Sequence, residues 1–143
     1  MSSTVRLEPN PANGCFGCGG ANARGMQLTF EQDDAARCIR GTFRLGPEYA
    51  GAEGFLHGGI IATLLDEAMG KASRFRGVRA VTAELNIEYL RPVPVGQEIV
   101  VEGREVEAQG RNFHRVGEIR NAKGDVLARG RGRFVDVTKK VLR

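Results

Sequence analysis

The spacing of apolar and polar positions changes period along this chain, and the changes mark its elements. Residues 26–32 (MQLTFEQ) and 37–45 (RCIRGTFRL) alternate apolar with polar, and Asp33-Asp34 between them predicts a hairpin. Residues 47–55 carry glycine and proline breaks and read as a loop. From His57 to about Arg74 the period becomes helical, with Ile60, Ile61, Leu64, Leu65, Ala68, Met69 and Ala72 at i, i+3, i+4 spacing. After Gly77 four strand-like segments follow, at 80–90, 98–107, 113–120 and 126–137. The stretch 91–96 (RPVPVG), Gln109-Gly110 and Lys123-Gly124-Asp125 supply turns between them. One helix among antiparallel strands must lie across a sheet face, where its apolar stripe can be buried. The expected class is α+β.

At 143 residues and 15.5 kDa the chain is expected to form one domain, residues 26–137. An N-terminal arm with turns (1–25) precedes it, and a short basic tail (138–143) follows. With 41% hydrophobic and 27% charged residues there is enough apolar material for a core. No apolar run approaches the roughly 20 residues of a membrane span. Residues 1–12 lack an apolar signal region, so a cytoplasmic protein without membrane attachment is expected.

The net charge of +4 is unevenly spread. Residues 111–143 hold ten Lys or Arg against Glu118, Asp125 and Asp136. Such a segment suits nucleic acid, a phosphorylated small molecule or a solvated strand face. With no Trp, two Tyr and no basic–aromatic interleaving, nucleic acid is not the expected partner.

Three cysteines, Cys15, Cys18 and Cys38, do not make a disulfide framework. Cys15-Phe16-Gly17-Cys18 has CxxC spacing, but no second such pair follows, and His57 and His114 are not in ligand spacing. Flanked by Asn13-Gly14 and Gly19-Gly20, the motif reads as a compact turn, and no metal is expected.

A helical wheel separates the two acids of the helix. Glu67 falls between Thr63 and Lys71 and is expected to pair with Lys71 at i, i+4. Asp66 has Ala62, Met69, Gly70 and Ser73 around it, small side chains that leave room for a ligand or another chain. At the helix start, His57-Gly58-Gly59 offers first-turn amides at the positive end of the helix dipole, an arrangement suited to an oxyanion. Asp66 lies about 13 Å further along the same helix. One helix cannot bring both ends to one carbonyl, whereas two antiparallel copies can, so a dimeric site is expected.

Residues 54–66 (GFLHGGIIATLLD), 81–92 (VTAELNIEYLRP) and 96–99 (GQEI) resemble the hotdog-fold acyl-CoA thioesterases, in particular the phenylacetate-pathway type. The leader Cys15-Phe16-Gly17-Cys18-Gly19, with Asn22 and Gly25-Met26, is similar to one found in a branch of those proteins. The resemblance implies a hotdog fold, a central helix wrapped by a curved antiparallel sheet of five to six strands. It also implies a homodimer as the minimal active unit, often paired into a homotetramer. It implies Asp66 as nucleophile or general base, the Gly58 and Gly59 amides at the thioester carbonyl, His57 orienting the loop, and Thr82 helping to place the attacking water. The substrate is then an acyl-CoA and no separate cofactor is needed, because coenzyme A is part of the substrate.

Around the acyl group the expected lining is Gly51, Glu53, Ala62, Met69 and Gly70. Arg91, Arg74 and Arg76, or the alternation Arg129-Arg131-Arg133, are the cations offered to the coenzyme phosphates. The chain departs from the family at Gly51, where many members carry a polar residue, often Asn, six positions before the His. Two other readings of the same fold stay open: a non-catalytic acyl-CoA-binding protein, and an enoyl-CoA hydratase or dehydratase.

Overall fold

The computed structural model describes residues 4–138. Seven strands, β1 (Thr4–Leu7), β2 (Phe30–Asp33), β3 (Cys38–Arg44), β4 (Ala80–Tyr89), β5 (Glu98–Gln109), β6 (Asn112–Asn121) and β7 (Val126–Asp136), form one antiparallel sheet in the order β1-β2-β3-β5-β6-β7-β4. A single helix, α1 (Gly58–Gly70), lies against its inner face and tightens into a 3-10 turn over Lys71–Arg76. Gly77 ends this run in the left-handed conformation (φ 63°), its N–H returning to Arg74. No helix of the described residues is long and apolar enough to cross a membrane.

The strand count exceeds the five to six expected, because the arm contributes β1. Thr4–Leu7 has too short an alternation to announce itself and becomes a strand by pairing with the edge of β2. The strand expected to start at Met26 begins only at Phe30. Gln27 takes a positive φ (49°), and Met26 and Leu28 donate their amides to Phe16 O (2.7 Å) and Gly17 O (2.9 Å). That segment therefore binds the CxxC turn instead of a strand. The hairpin through residues 34–37 and the four later strands lie where the alternation put them. Apart from Thr138, the basic tail lies outside the described residues.

Strand parity defines the core. Ile99, Val101 and Gly103 of β5, Phe113, Gly117 and Ile119 of β6, and Ala128, Gly130 and Phe134 of β7 point inward, against Ile61, Leu64, Leu65, Ala68 and Met69 of α1. Ile60, expected on the same stripe, is only half-buried. Gly103, Gly117 and Gly130 sit side by side across three strands. A Cβ at Gly103 would lie 2.5 Å from the Ala68 carbonyl carbon, and one at Gly130 3.1 Å from the Met69 methyl. The glycines thus form a trough that lets the helix backbone approach the sheet.

The C-terminal end of α1 is closed by a charge. Arg115 stands on the inward parity of β6 between Phe113 and Gly117 and is 1% exposed. Its Nη1 donates to Met69 O (3.0 Å), Gly70 O (3.3 Å) and Ser73 Oγ (2.8 Å), while Nε and Nη2 hold Glu105 Oε1 at 3.2 and 3.1 Å. Its guanidinium also lies over the rings of Phe113 and Phe134. A cation here adds donors to the helix-end carbonyls of Met69 and Gly70 and complements the helix dipole. Burial pushes the Arg115 pKa down, and the Glu105 carboxylate opposes that shift. For Glu105, burial acts upward, but the bonds from Arg76 and Arg115 outweigh it and hold the carboxyl below its ordinary value.

Candidate active site

Asp66 sits in the third turn of α1, half-buried, and accepts a 2.7 Å hydrogen bond from Thr82 Oγ1 on β4. A bulge in β4 makes this contact. Thr82 pairs with the inward-facing Phe134, and the register then slips so that Glu84, not Ala83, faces Arg133. Without the extra residue, Thr82 would share a face with Glu84 and Asn86; with it, Thr82 joins Leu85, Ile87 and Tyr89 on the face toward the helix. An acidic oxygen is thereby held by a hydroxyl that fixes its rotamer, and among the described residues no hydrogen bond engages the second oxygen.

The other end of the helix presents a donor. His57 caps α1 with extended backbone (φ −61°, ψ 139°), and its Nδ1 accepts the Gly59 N–H at 2.8 Å. An accepting Nδ1 carries no hydrogen, so the ring proton lies on Nε2. The expectation that both glycine amides face a ligand is therefore corrected: Gly59 is used by the cap. Among the described residues, the Gly58 N–H has no hydrogen-bond partner, whereas Gly58 O accepts from the Tyr89 hydroxyl at 2.9 Å. Tyr89 was not anticipated as a site residue. Its place on the Thr82 face of β4 was hidden by the bulge.

Beside this amide opens an apolar cleft of about 500 Å³, lined by Gly51, Phe55, His57, Gly58, Ile61, Tyr89 and Arg91. Glu53 is exposed and does not line it. A Cβ at Gly51 would fall 2.9 Å from His57 Cα, so this backbone has no room for a larger residue there. Ala62 and Gly70 are half-buried on α1. Met69 is fully buried, with its methyl against Gly130, and belongs to the core and not to a ligand surface. The wheel misplaced it because the glycine trough draws a wider arc of the helix into the sheet.

Several candidate cations prove to be occupied. Arg76 donates to Glu105 (2.7 Å), Arg74 to Gln32 (3.0 Å), and Arg133 to Glu84 (2.6 Å) and Asn112 (3.0 Å). Arg91 lines the cleft and shares its charge with Asp125 at 3.4 Å. A larger cavity of about 750 Å³ lies elsewhere, on the outer face of the sheet between Glu88, Glu102, Arg104, Glu118, Arg129 and Arg131. It contains neither Asp66 nor Gly58.

Glu67 makes no ion pair with Lys71 among the described residues. Lys71 Nζ lies 5.9 Å from the Phe30 ring centre, and Glu67 turns instead to the CxxC turn, where Cys15 Sγ stands 3.4 Å from its Oε1. Burial and the neighbouring carboxylate push the Cys18 thiol up to about 12.

An antiparallel sheet wrapped around one central helix is the hotdog architecture, and this chain has it with a hydroxyl-bound carboxylate on the helix. Residues 53–128, just over half of the chain, match the profile of the Thioesterase superfamily, and the chain belongs to that superfamily. It is 28% identical to acyl-coenzyme A thioesterase THEM4 of Xenopus laevis over 72% of this chain and 46% of that protein. It is 35% identical to human acyl-coenzyme A thioesterase 13 over 59% of this chain and 62% of that one. The chain thus spans less than two thirds of these curated relatives. A thioesterase superfamily protein of known crystal structure superposes with a TM-score of 0.80 at 33% identity, covering 86% of this chain and 60% of that one. A Streptococcus mutans protein solved bound to acetyl CoA gives 0.66 at 25% identity, over 69% of this chain and 80% of that one.

Proposed function

We propose that this protein hydrolyses acyl-CoA thioesters at a site shared between two copies of the chain. The observation that carries the reading is the pairing of Asp66 with Thr82 at one end of α1 and the unbonded Gly58 amide at the other. Eight residues of helix separate them, about 12 Å, too far for one carbonyl. β4 marks both ends, through Thr82 and Tyr89, and it is the outer strand of the sheet. Nearly all of its ten residues are exposed, including Val81, Leu85 and Tyr89. A long, apolar, unpaired edge is a site for strand pairing. Two-fold pairing of β4 with its own copy sets the Thr82 half of one strand against the Tyr89 half of the other. Asp66 of one subunit then meets Gly58 of its partner, twice per dimer.

At such a site the thioester oxygen accepts from the Gly58 N–H, strengthened by the helix dipole as negative charge develops. Asp66 either adds to the carbonyl carbon itself or takes the proton of a water that adds. Collapse breaks the C–S bond and releases CoA as a thiolate, which takes its proton from solvent, so no strong general acid is required; where Asp66 itself has added, water then opens the mixed anhydride left on it, giving the free acid and restoring the carboxylate. His57, whose Nδ1 accepts the Gly59 N–H, orients the first turn that carries the amide. Arg91 at the cleft is the cation offered to the coenzyme phosphates.

Thiol release from short, medium, long and aromatic acyl-CoAs, compared between wild type and Asp66→Asn, tests this. We expect turnover of at least one thioester and a loss of at least about a hundredfold in the variant, roughly 2.7 kcal/mol of transition-state stabilisation. Light scattering is expected to show a dimer or a pair of dimers. Gly51 favours a second reading, because no polar side chain fits where many members place one. A protein that binds acyl-CoA stoichiometrically without releasing thiol would be that non-catalytic binder.

A further inference from the structure

The proposed chemistry leaves Cys15, Cys18 and Glu67 without a role, although the fold brings them together from 52 positions apart in sequence. Their ligand atoms, two thiol sulfurs and one carboxylate oxygen, all lie within 4.8 Å of one another, and all three residues are half-buried. We propose that these three side chains bind one thiophilic divalent cation, zinc by its ligand chemistry, which clasps the N-terminal arm to α1.

Four observations carry the inference. The first is size: a tetrahedral zinc bound at about 2.3 Å to sulfur and about 2.0 Å to oxygen has ligand–ligand edges of about 3.5–3.8 Å. The Cys15 Sγ to Glu67 Oε1 separation is already 3.4 Å. The second is the spacing: two cysteines separated by two residues are a usual half of a zinc site. The second half, missing from the sequence as another CxxC, comes from the helix as a carboxylate.

The third is that the turn is built to a fixed shape. Cys15 N–H donates to Asn13 Oδ1 (2.7 Å), Gly19 N–H to Cys15 O (2.9 Å), and Ala21 N–H to Asn13 O (2.9 Å), while Met26 and Leu28 tie residues 16 and 17 from the other side. Both sulfurs are therefore carried on a backbone that does not need to reorganise. The fourth is the opening left for the carboxylate. A Cβ on Gly17, between the cysteines, would lie 2.5 Å from Glu67 Oε1, so the motif's glycine makes room for the third ligand.

Two thiolates and one carboxylate fit zinc better than magnesium or calcium, which take oxygen ligands. Three protein ligands leave a fourth position for water. Binding displaces the two thiol protons to solvent, and no electron is transferred. Glu67 is the immediate neighbour of Asp66 on α1, so the clasp also restrains the helix turn that carries the candidate catalytic carboxylate.

The test uses the full chain, fully reduced and stripped of metal, titrated with cobalt(II) as a spectroscopic probe and then with zinc in competition. We expect one cobalt per chain, with a thiolate charge-transfer band and the visible bands of a tetrahedral site, both abolished by zinc. Zinc is expected to raise the melting temperature of the wild type, and a chelator to reverse the rise. Cys15→Ser combined with Cys18→Ser should remove the charge-transfer band, with buried Cys38 left in place as a control. Should that pair fail to fold, Glu67→Gln is the second variant, expected to weaken binding at least tenfold. Absence of a thiolate band in reduced wild type, persistence of the band in the double-cysteine variant, or unchanged affinity in Glu67→Gln would each overturn the proposal. None of these readouts depends on thioester hydrolysis, so the site and the proposed activity fail or stand separately.

Discussion

Gly58→Pro tests the oxyanion donor by deleting one hydrogen. Gly58 is the first residue of α1, the position where proline is best tolerated, because the lost N–H has no partner inside the helix. The residue before it, His57, already has the extended backbone (φ −61°, ψ 139°) that a following proline requires. A Cβ at Gly58 meets nothing closer than the Tyr89 hydroxyl at 3.5 Å, an ordinary contact. The fold should therefore accept the substitution with a stability change within about 1 kcal/mol. Activity should not survive in the same way. Loss of one donor to a developing oxyanion costs about 2.7–4 kcal/mol, so turnover is expected to fall about a hundred- to a thousandfold. Gly58→Ala retains the N–H and separates the effect of added bulk from that of the missing hydrogen. The assay is thiol release beside thermal melts of all three proteins. Gly58→Pro turning over as fast as Gly58→Ala, with both folded, would refute the assignment of this amide.

Other consequences concern the carboxylate and the helix end. Thr82→Val keeps the shape but removes the bond that fixes Asp66; a hydrogen bond to a charged group contributes about 1.5–3 kcal/mol to stability, so a lower urea midpoint is expected together with a fall in kcat in steady-state kinetics, and an unchanged kcat would contradict the positioning role given to Thr82. Arg115→Met removes the guanidinium donors from Met69 O, Gly70 O and Ser73 Oγ and its bonds to Glu105, which keeps Arg76. A loss of about 3–5 kcal/mol in urea unfolding is expected, and a loss below about 1 kcal/mol would contradict the role given to Arg115. The same network sets an acid limit. Because the folded Glu105 pKa lies below its ordinary value of 4.5, its contribution is complete above that pH and is lost as pH falls through the lower folded value. Stability profiles of wild type and Glu105→Gln should therefore converge only in acid.

Much of this architecture is legible from periodicity alone. The helical spacing of Ile61, Leu64, Leu65 and Ala68 against the strict alternation of the four later strands leaves little choice of class. Separation along one helix is enough to require a second chain for Asp66 and Gly58 to cooperate. The sequence also contains Arg115 in plain view, on the same parity as Phe113, Gly117 and Ile119. That parity puts a guanidinium in the core, but nothing local names the helix carbonyls and Glu105 that make burial tolerable.

Tertiary structure decided what depends on register and on contacts across the sheet. A single extra residue at Ala83 inverts the face of everything before it in β4, and no local propensity encodes that slip, yet it directs Thr82 to Asp66. The trough of Gly103, Gly117 and Gly130 exists only once three strands align, and its depth draws Met69 into the core. The cap bond that engages Gly59 follows from the His57 rotamer, which spacing cannot report. Glu67 turned from Lys71 to the cysteines because 52 residues of chain brought the turn to that face of the helix. Period and spacing specify elements and their faces, since those are one-dimensional properties of the chain. Which atoms finally meet is set by how the elements pack, and that is where the candidate carboxylate, the unbonded amide and the cysteine cluster acquire their chemistry.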